Sequence, residues 1–196
     1  MLFDLVAGHI EGRGLLVKDG TLVDATILGQ SKGKKKEDGT HTRDEEASFT
    51  KKHGRTYHGY KGHIAADKSG IVTDYRFSTA SHHDSRYFDE LVKGEKNAAY
   101  GDSAYSGEQR RKGLRGRGVI DAICYKRNRG QEKLHDYQER WNTIVSKARA
   151  LVEHPFARIK AMGHTRVRYR GLRRNELDFG LMMIAHNFKR AVFLAA

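Results

Sequence analysis

Three acidic residues lie where the surrounding sequence predicts burial. Asp24 lies inside an apolar strand, Asp102 ends a short strand, and Glu153 borders the apolar stripe of a helix. A buried carboxylate is costly unless it is paired or bound to a metal ion. Carboxylate oxygens suit Mg²⁺ or Mn²⁺, which also bind substrate phosphates. Two such ions about 4 Å apart would stabilise the attacking and leaving oxygens of a displacement at phosphorus.

Each acid also has a simpler structural explanation. Asp24 could cap a turn, and Asp102 could cap a helix that begins near Ser106. Glu153 could pair with Arg149, one helical turn away. Taken together, the three acids favour metal binding, because adjacent strands can present two of them side by side and a helix packed on the sheet can supply the third.

The pattern of residues 137–162 predicts the long helix that positions Glu153. Apolar residues recur there at intervals of three and four, as in an amphipathic helix. They are Val145, Ala148, Val152, Phe156 and Ile159. Arg149, Glu153 and Lys160 share a second face of the same helix.

Pro155, the single proline of the chain, interrupts this helix pattern. Proline removes one backbone donor and crowds the preceding turn. The sequence leaves two alternatives. A kink would aim the half with Glu153 separately from the half with Lys160, whereas a split would place Pro155 in the first turn of a second helix.

The remaining segments predict an α/β fold, with a mixed sheet flanked by helices. Residues 15–28 predict a hairpin around an Asp-Gly turn, and residues 55–81 predict two more strands. Residues 82–127 then alternate helix, strand, helix and strand, and residues 176–195 predict a final apolar helix. Residues 2–11 predict a short helix, and residues 29–54 a long, flexible polar loop.

The composition predicts a basic protein with a polyanionic partner. The 196 residues include 37 Lys and Arg against 24 Asp and Glu, a net charge of +13. Such a charge favours nucleic acid, because neutralising phosphates releases counterions; the alternative is a solvated basic surface or a ribosome-like structural role. The single cysteine and the absence of an export signal predict a cytoplasmic protein.

The basic residues cluster in three segments, residues 110–117, 126–129 and 166–174. Tyr125 borders the second segment and Tyr169 lies within the third. Their rings could stack on sugars or bases. The clustering favours nucleic acid over an evenly solvated surface.

Six segments in sequence order resemble the DDE-type transposases of bacterial insertion sequences. "GTLVDATI", "YGDSAYSG" and "RALVEHPFARIK" are similar to the family's first, second and third acid segments. "YHGYKGHIAADKSG" and "TASHHDS" resemble its second and third strands, and "TRVRYRGL" resembles the segment after the third acid.

This resemblance implies a single catalytic domain over residues 1–196 with a ribonuclease-H-like fold. It implies that Asp24, Asp102 and Glu153 are catalytic and hold Mg²⁺, with Mn²⁺ as the alternative ion. It also implies a set of DNA-binding residues. They are Arg149, Lys160, Tyr105, Arg166, Arg168 and Arg170.

The implied activity is metal-dependent cleavage and strand transfer of double-stranded DNA at element ends and target. The protein would act as a homodimer on DNA, associated with the bacterial nucleoid. Residues 1–12 would be the remnant of an absent N-terminal region that recognises the element ends. Two alternatives stay open, a truncated DNA-binding remnant without catalysis and a metal-dependent nuclease without strand transfer.

Overall fold

The computed structural model describes residues 2–52 and 54–196, which form a six-stranded sheet flanked by helices. The strands are β1 (Thr21–Gly29), β2 (Ser48–Lys52), β3 (Arg55–Ala66), β4 (Val72–Thr79), β5 (Ala98–Gly101) and β6 (Ile120–Ile123). The α-helices are α1 (Leu2–Gly12), α2 (Phe88–Leu91), α3 (Glu108–Gly116), α4 (Asp136–Ala161) and α5 (Leu172–Ala195). Short 3₁₀ helices cover Asp84–Arg86 and Ser103–Tyr105. The predicted α/β class with a mixed sheet is confirmed.

Strand β1 joins the antiparallel and parallel halves of the sheet. The order is β2-β3-β1-β5-β6. Strand β2 pairs with the N-terminal half of β3, and β4 pairs with its C-terminal half. β1 is antiparallel to β3 and parallel to β5, which is parallel to β6. Among the described residues, no helix is both long and apolar enough to cross a bilayer.

Alternate residues of β1 point into two separate cores. Leu22 packs on one face of the sheet with Phe156 of α4 and Phe179 of α5. Val23 packs on the opposite face with Phe88 of α2 and with residues of α3. Because side chains alternate along a strand, the next residue, Asp24, points to the face that α4 and α5 cover.

Glycine in β3 allows α5 to approach the sheet closely. A Cβ atom at Gly62 would overlap the ring of Phe179. Phe179 is fully buried and also contacts the rings of Tyr75 and Phe77. The Phe179 side chain of α5 therefore rests directly on the backbone of β3 at Gly62.

Helix α4 is continuous through Pro155, so the alternative of two separate helices is wrong. Val152, Phe156 and Ile159, on both sides of the proline, are buried in one apolar cluster. This packing keeps the two halves in helical register and offsets the lost backbone hydrogen bond.

Two other segments differ from the sequence-based expectations. The hairpin predicted for residues 15–28 is wrong, because only its second half forms a strand. The backbone N–H of Val17 donates instead to Asp67 Oδ2 at 2.7 Å, which ties this segment to the β3–β4 turn. The polar segment 29–54, predicted as a loop, contains strand β2. Residues 2–12 form the expected helix, whose origin as a remnant stays a prediction; Met1 and His53 lie outside the described residues.

The first turn of α5 is capped from a distant part of the chain. Asp44 Oδ2 accepts a hydrogen bond from Gly171 N at 2.9 Å, and Glu46 Oε2 accepts one from Leu172 N at 2.5 Å. Asp44 Oδ2 also accepts a hydrogen bond from the hydroxyl of Tyr60 at 2.8 Å. Burial opposes the ionisation of Asp44, but these donors outweigh it and lower the pKa of the carboxyl. The cap therefore fastens segment 30–46 to α5.

We expect Asp44→Asn to lower the free energy of unfolding at neutral pH by about 1–3 kcal/mol, because buried donors lose a charged acceptor. A folded-state pKa below the unfolded value, about 3.9, contributes stability that is present above that value and is lost as the pH falls. The difference between wild type and variant should therefore narrow below about pH 4.

Urea unfolding over this pH range measures the difference. Glu45→Gln is the matched control, because Glu45 is exposed and neighbours Asp44 in the chain. An Asp44→Asn variant as stable as Glu45→Gln at pH 7 would contradict the assigned cap.

Candidate active site

Asp24 and Asp102 lie at matching positions on two parallel strands. The ladder between β1 and β5 ends at the pair Leu22 and Tyr100. Asp24 and Asp102 each follow two residues later. The parallel pairing and β5 both end at this point, whereas β1 continues to Gly29. The sheet therefore brings the first two predicted acids together, as expected.

The surroundings of Asp24 disfavour its charge. The pKa of Asp24 is raised to about 6, chiefly by burial and also by the negative charge of Asp102. The backbone N–H of Ala25 and the cations Arg149 and Lys52 act in the opposite direction. Asp24 and Asp102 are thus near enough to repel each other, and a cation bound between them would relieve that repulsion.

Asp102 also has a structural role. Its Oδ1 accepts a hydrogen bond from Ala104 N at 2.8 Å and caps the 3₁₀ helix Ser103–Tyr105. Asp102 is therefore a helix cap, as the structural explanation predicts, but it caps the 3₁₀ helix that begins at Ser103 and not a helix that begins near Ser106. Among the described residues, the other oxygen of Asp102 accepts no hydrogen bond, so a metal ion could use it.

Helix α4 supplies a cation to this pair. Arg149 Nη2 lies 3.9 Å from Asp24 Oδ1, and the Arg149 side chain is only 15% exposed. Its Nε is buried and has no hydrogen-bond partner within the described part of the chain. The suggested pairing of Arg149 with Glu153 is not seen, because the guanidinium points to Asp24 instead.

Glu153 and Lys160 are exposed on the surface of α4. Glu153 lies one helical turn, about 6 Å, beyond Arg149, but its side chain is not grouped with the two aspartates. Within residues 2–52 and 54–196, no cluster of three or more His, Cys, Asp or Glu side chains is arranged to hold a metal ion. The carboxylate pair suits a divalent cation, and a three-acid site would require the exposed side chain of Glu153 to turn inward.

Tyr105 lies near the acids, whose charges act on it. Its side chain is 1% exposed, and its buried hydroxyl has no hydrogen-bond partner among the described residues. Burial raises the pKa of Tyr105 well above its usual value, and the charges of Asp24, Asp84 and Asp102 add to the effect. Direct contact of Tyr105 with DNA does not fit this burial, whereas support of the acids does.

The motif segments also contain an ion pair whose role sequence reasoning missed. Lys61 Nζ lies 2.8 Å from Asp84 Oδ1 and donates to the carbonyl of His82 at 2.7 Å. The charge of Asp84 acts on Tyr105, as do the charges of Asp24 and Asp102, so the pair lies near the site. A lysine within an apolar strand is the signal that could have indicated it.

The basic segments have different environments. Arg166, Arg168 and Arg170 are exposed, as expected of DNA-binding residues. Their segment lies beside the end of β1, where Val167 N donates to Gly29 O at 2.9 Å. Arg111, from the first basic segment, is instead buried and pairs with Asp121 at 2.8 Å, which excludes it from a DNA surface.

The sheet and its pair of acids define an α/β domain with a ribonuclease-H-like fold. Residues 16–188 of the 196 match the family model described as the transposase DDE domain. The chain therefore belongs to the family of DDE transposases. No solved structure matches the chain significantly.

We expect opposite changes in the pKa of Asp24 when its two charged neighbours are removed in turn. Arg149→Gln should raise it above about 6, because a stabilising cation is lost. Asp102→Asn should lower it, because a like charge is lost. Carboxyl carbon NMR in metal-free buffer measures both, with Glu45→Gln as the control. Shifts in the same direction would contradict the described arrangement.

Proposed function

We propose that this chain catalyses metal-dependent cleavage and strand transfer of double-stranded DNA in the transposition of an insertion sequence. The observation that best supports this proposal is the juxtaposition of Asp24 and Asp102, where burial and, to a smaller extent, the charge of Asp102 raise the pKa of Asp24. Membership of the DDE transposase family supports the same reaction class. The net charge of +13 suits a DNA substrate.

In this proposal, Asp24, Asp102 and Glu153 hold Mg²⁺, or Mn²⁺ in its place. When bound, such ions activate the attacking water or 3′-hydroxyl and stabilise the departing oxygen. Arg149 limits the repulsion between the aspartates and keeps Asp24 ionised. Tyr105 supports the acids, with no direct contact to DNA.

Four exposed cations of α4 and of the segment that follows it would bind DNA phosphates. They are Lys160, Arg166, Arg168 and Arg170. Arg149, largely buried against Asp24, would reach DNA only close to the acids. The partners would be element ends and target DNA, bound by two copies of the chain in the cytoplasm, at the nucleoid.

One observation favours a second candidate, a DNA-binding protein without catalysis. The described residues contain no three-ligand metal cluster, and Glu153 is exposed. If Glu153 cannot turn toward the aspartates, the chain would bind DNA through its basic surface and leave it intact.

Nicking of supercoiled plasmid in Mg²⁺ or Mn²⁺ tests the proposal. We expect Asp24→Asn and Glu153→Gln each to lower the nicking rate by at least about 100-fold, the effect of losing one preorganised charged group. Asp136→Asn, an exposed acid in the first turn of the same helix, is the control and should keep the wild-type rate.

A DNA end with a free 3′-hydroxyl separates strand transfer from simple hydrolysis. Joining of this end to plasmid supports the transposase proposal, whereas nicking without joining indicates a nuclease. Folded wild-type protein that binds DNA but never nicks it would establish the non-catalytic candidate.

A further inference from the structure

A basic pocket opens beside the second acid and has no role in the proposed site. Strands β5 and β6 are parallel, and Cys124 N donates to Gly101 O at 3.0 Å where both strands end. The loop after β6 therefore emerges at the same edge of the sheet as Asp102. It borders a concave pocket of about 1140 Å³ that includes Ser103, the neighbour of Asp102.

The loop around this pocket is held in place by its own polar groups. Asn142 of α4 accepts from Tyr125 N at 2.7 Å and donates to Tyr125 O at 3.1 Å. Farther along, Arg127 Nη1 donates to the carbonyl of Glu132 at 3.0 Å. Asn128 N donates to the side chain of Gln131 at 3.1 Å. A loop fixed at these points presents its other side chains at defined positions.

Three cations on this loop are available to a ligand. Lys126, Arg129 and Lys133 line the pocket and are exposed. In the described part of the chain, none of the three forms an ion pair. Glu132 and Glu139 also line the pocket, so its net charge is positive but moderate. Such a site attracts an anion without binding it irreversibly.

The aromatic ring at the base of the pocket is already covered. The guanidinium of Arg111 lies 4.3 Å from the centroid of the Tyr125 ring, and Tyr137 contacts that ring edge-on at 6.1 Å. The Tyr125 ring is thus not free to stack on a base, contrary to the expectation from its sequence position. The pocket offers cations rather than a stacking surface, which suits phosphates and not base edges.

We propose that this pocket binds the sugar–phosphate backbone of the DNA strand that enters the site beside Asp102, without reading its sequence. The proposal rests on the proposed function, because it assumes that the acids act on DNA. Lys126 and Arg129 each contact a phosphate, and Lys133 adds to the local positive potential. Through this contact, the pocket holds the strand in register with the carboxylates.

The test compares two double variants that each lose two positive charges. Lys126→Gln/Arg129→Gln removes the pocket cations. Lys93→Gln/Lys96→Gln is the matched control, because these exposed lysines precede β5 and lie at the opposite end of that strand from Asp102. Binding to a short duplex DNA is measured at several salt concentrations in EDTA, so that no cleavage is required.

The pocket variant should reduce the magnitude of the negative slope of log affinity against log salt by about 2, because each lost phosphate contact reduces it by about 0.9. The loss should be equal for duplexes of unrelated sequence. The control should keep the wild-type slope. Circular dichroism and thermal melting show whether both variants are folded.

Equal slopes for the two double variants would overturn the proposal. A difference in slope between the two variants that is confined to one DNA sequence would also overturn it. The same holds if the two variants differ in binding inorganic phosphate or duplex RNA but not duplex DNA. Failure of the proposed function gives a different result. In that case the wild type does not nick DNA in Mg²⁺ or Mn²⁺, yet the slope difference in EDTA persists.

Discussion

The carboxylates of Asp24 and Asp102 repel each other just beyond the point where the parallel pairing of β1 with β5 ends, and the surrounding structure limits the cost of that repulsion. Arg149 reaches across from α4, and the Ala25 N–H and Lys52 add further positive potential. The pKa of Asp24 nevertheless remains raised to about 6, mainly by burial and in smaller part by the charge of Asp102. A bound cation would stabilise the charged form of such a carboxyl.

The position of α4 determines whether this arrangement works. The helix must bury Val152 and Phe156 in the core and at the same time direct Arg149 toward Asp24. Its rotation is therefore fixed by apolar packing, and the polar face follows. The same rotation leaves Glu153 in solvent, so the third acid is the one part of the predicted triad that packing does not hold in place.

Elements with strong local patterns could be predicted from the sequence. The long helix, the strands on each side of the turn at 68–70, and the aspartates inside one strand and at the end of another follow from periodicity and turn residues. The first hairpin could not, because the partner of Val17 is Asp67, 50 residues away. Strand β2 is short, and its Phe49 is 44% exposed, so its pattern resembles that of a polar loop.

Side-chain roles were harder to predict than elements, because they depend on contacts between distant segments. Arg111 looks like a DNA-binding cation in the sequence, yet it is buried against Asp121. Tyr105 follows the second acid closely, yet its hydroxyl points into the protein. In both cases the residue type was informative about charge or size, and only the fold determined which way the side chain points.

The close packing of α5 against β3 has a consequence for how the protein is made. The sheet face that α5 covers, with Tyr60 and Ile64 of β3, is synthesised well before the helix. From the end of β4 at Thr79 to Ala195 the ribosome adds 195 − 79 = 116 residues. At about 5–20 residues per second, this takes roughly 6–23 s. During that interval the apolar face of the nascent sheet is exposed to chaperones and to neighbouring chains, and the last helix to emerge ends the exposure.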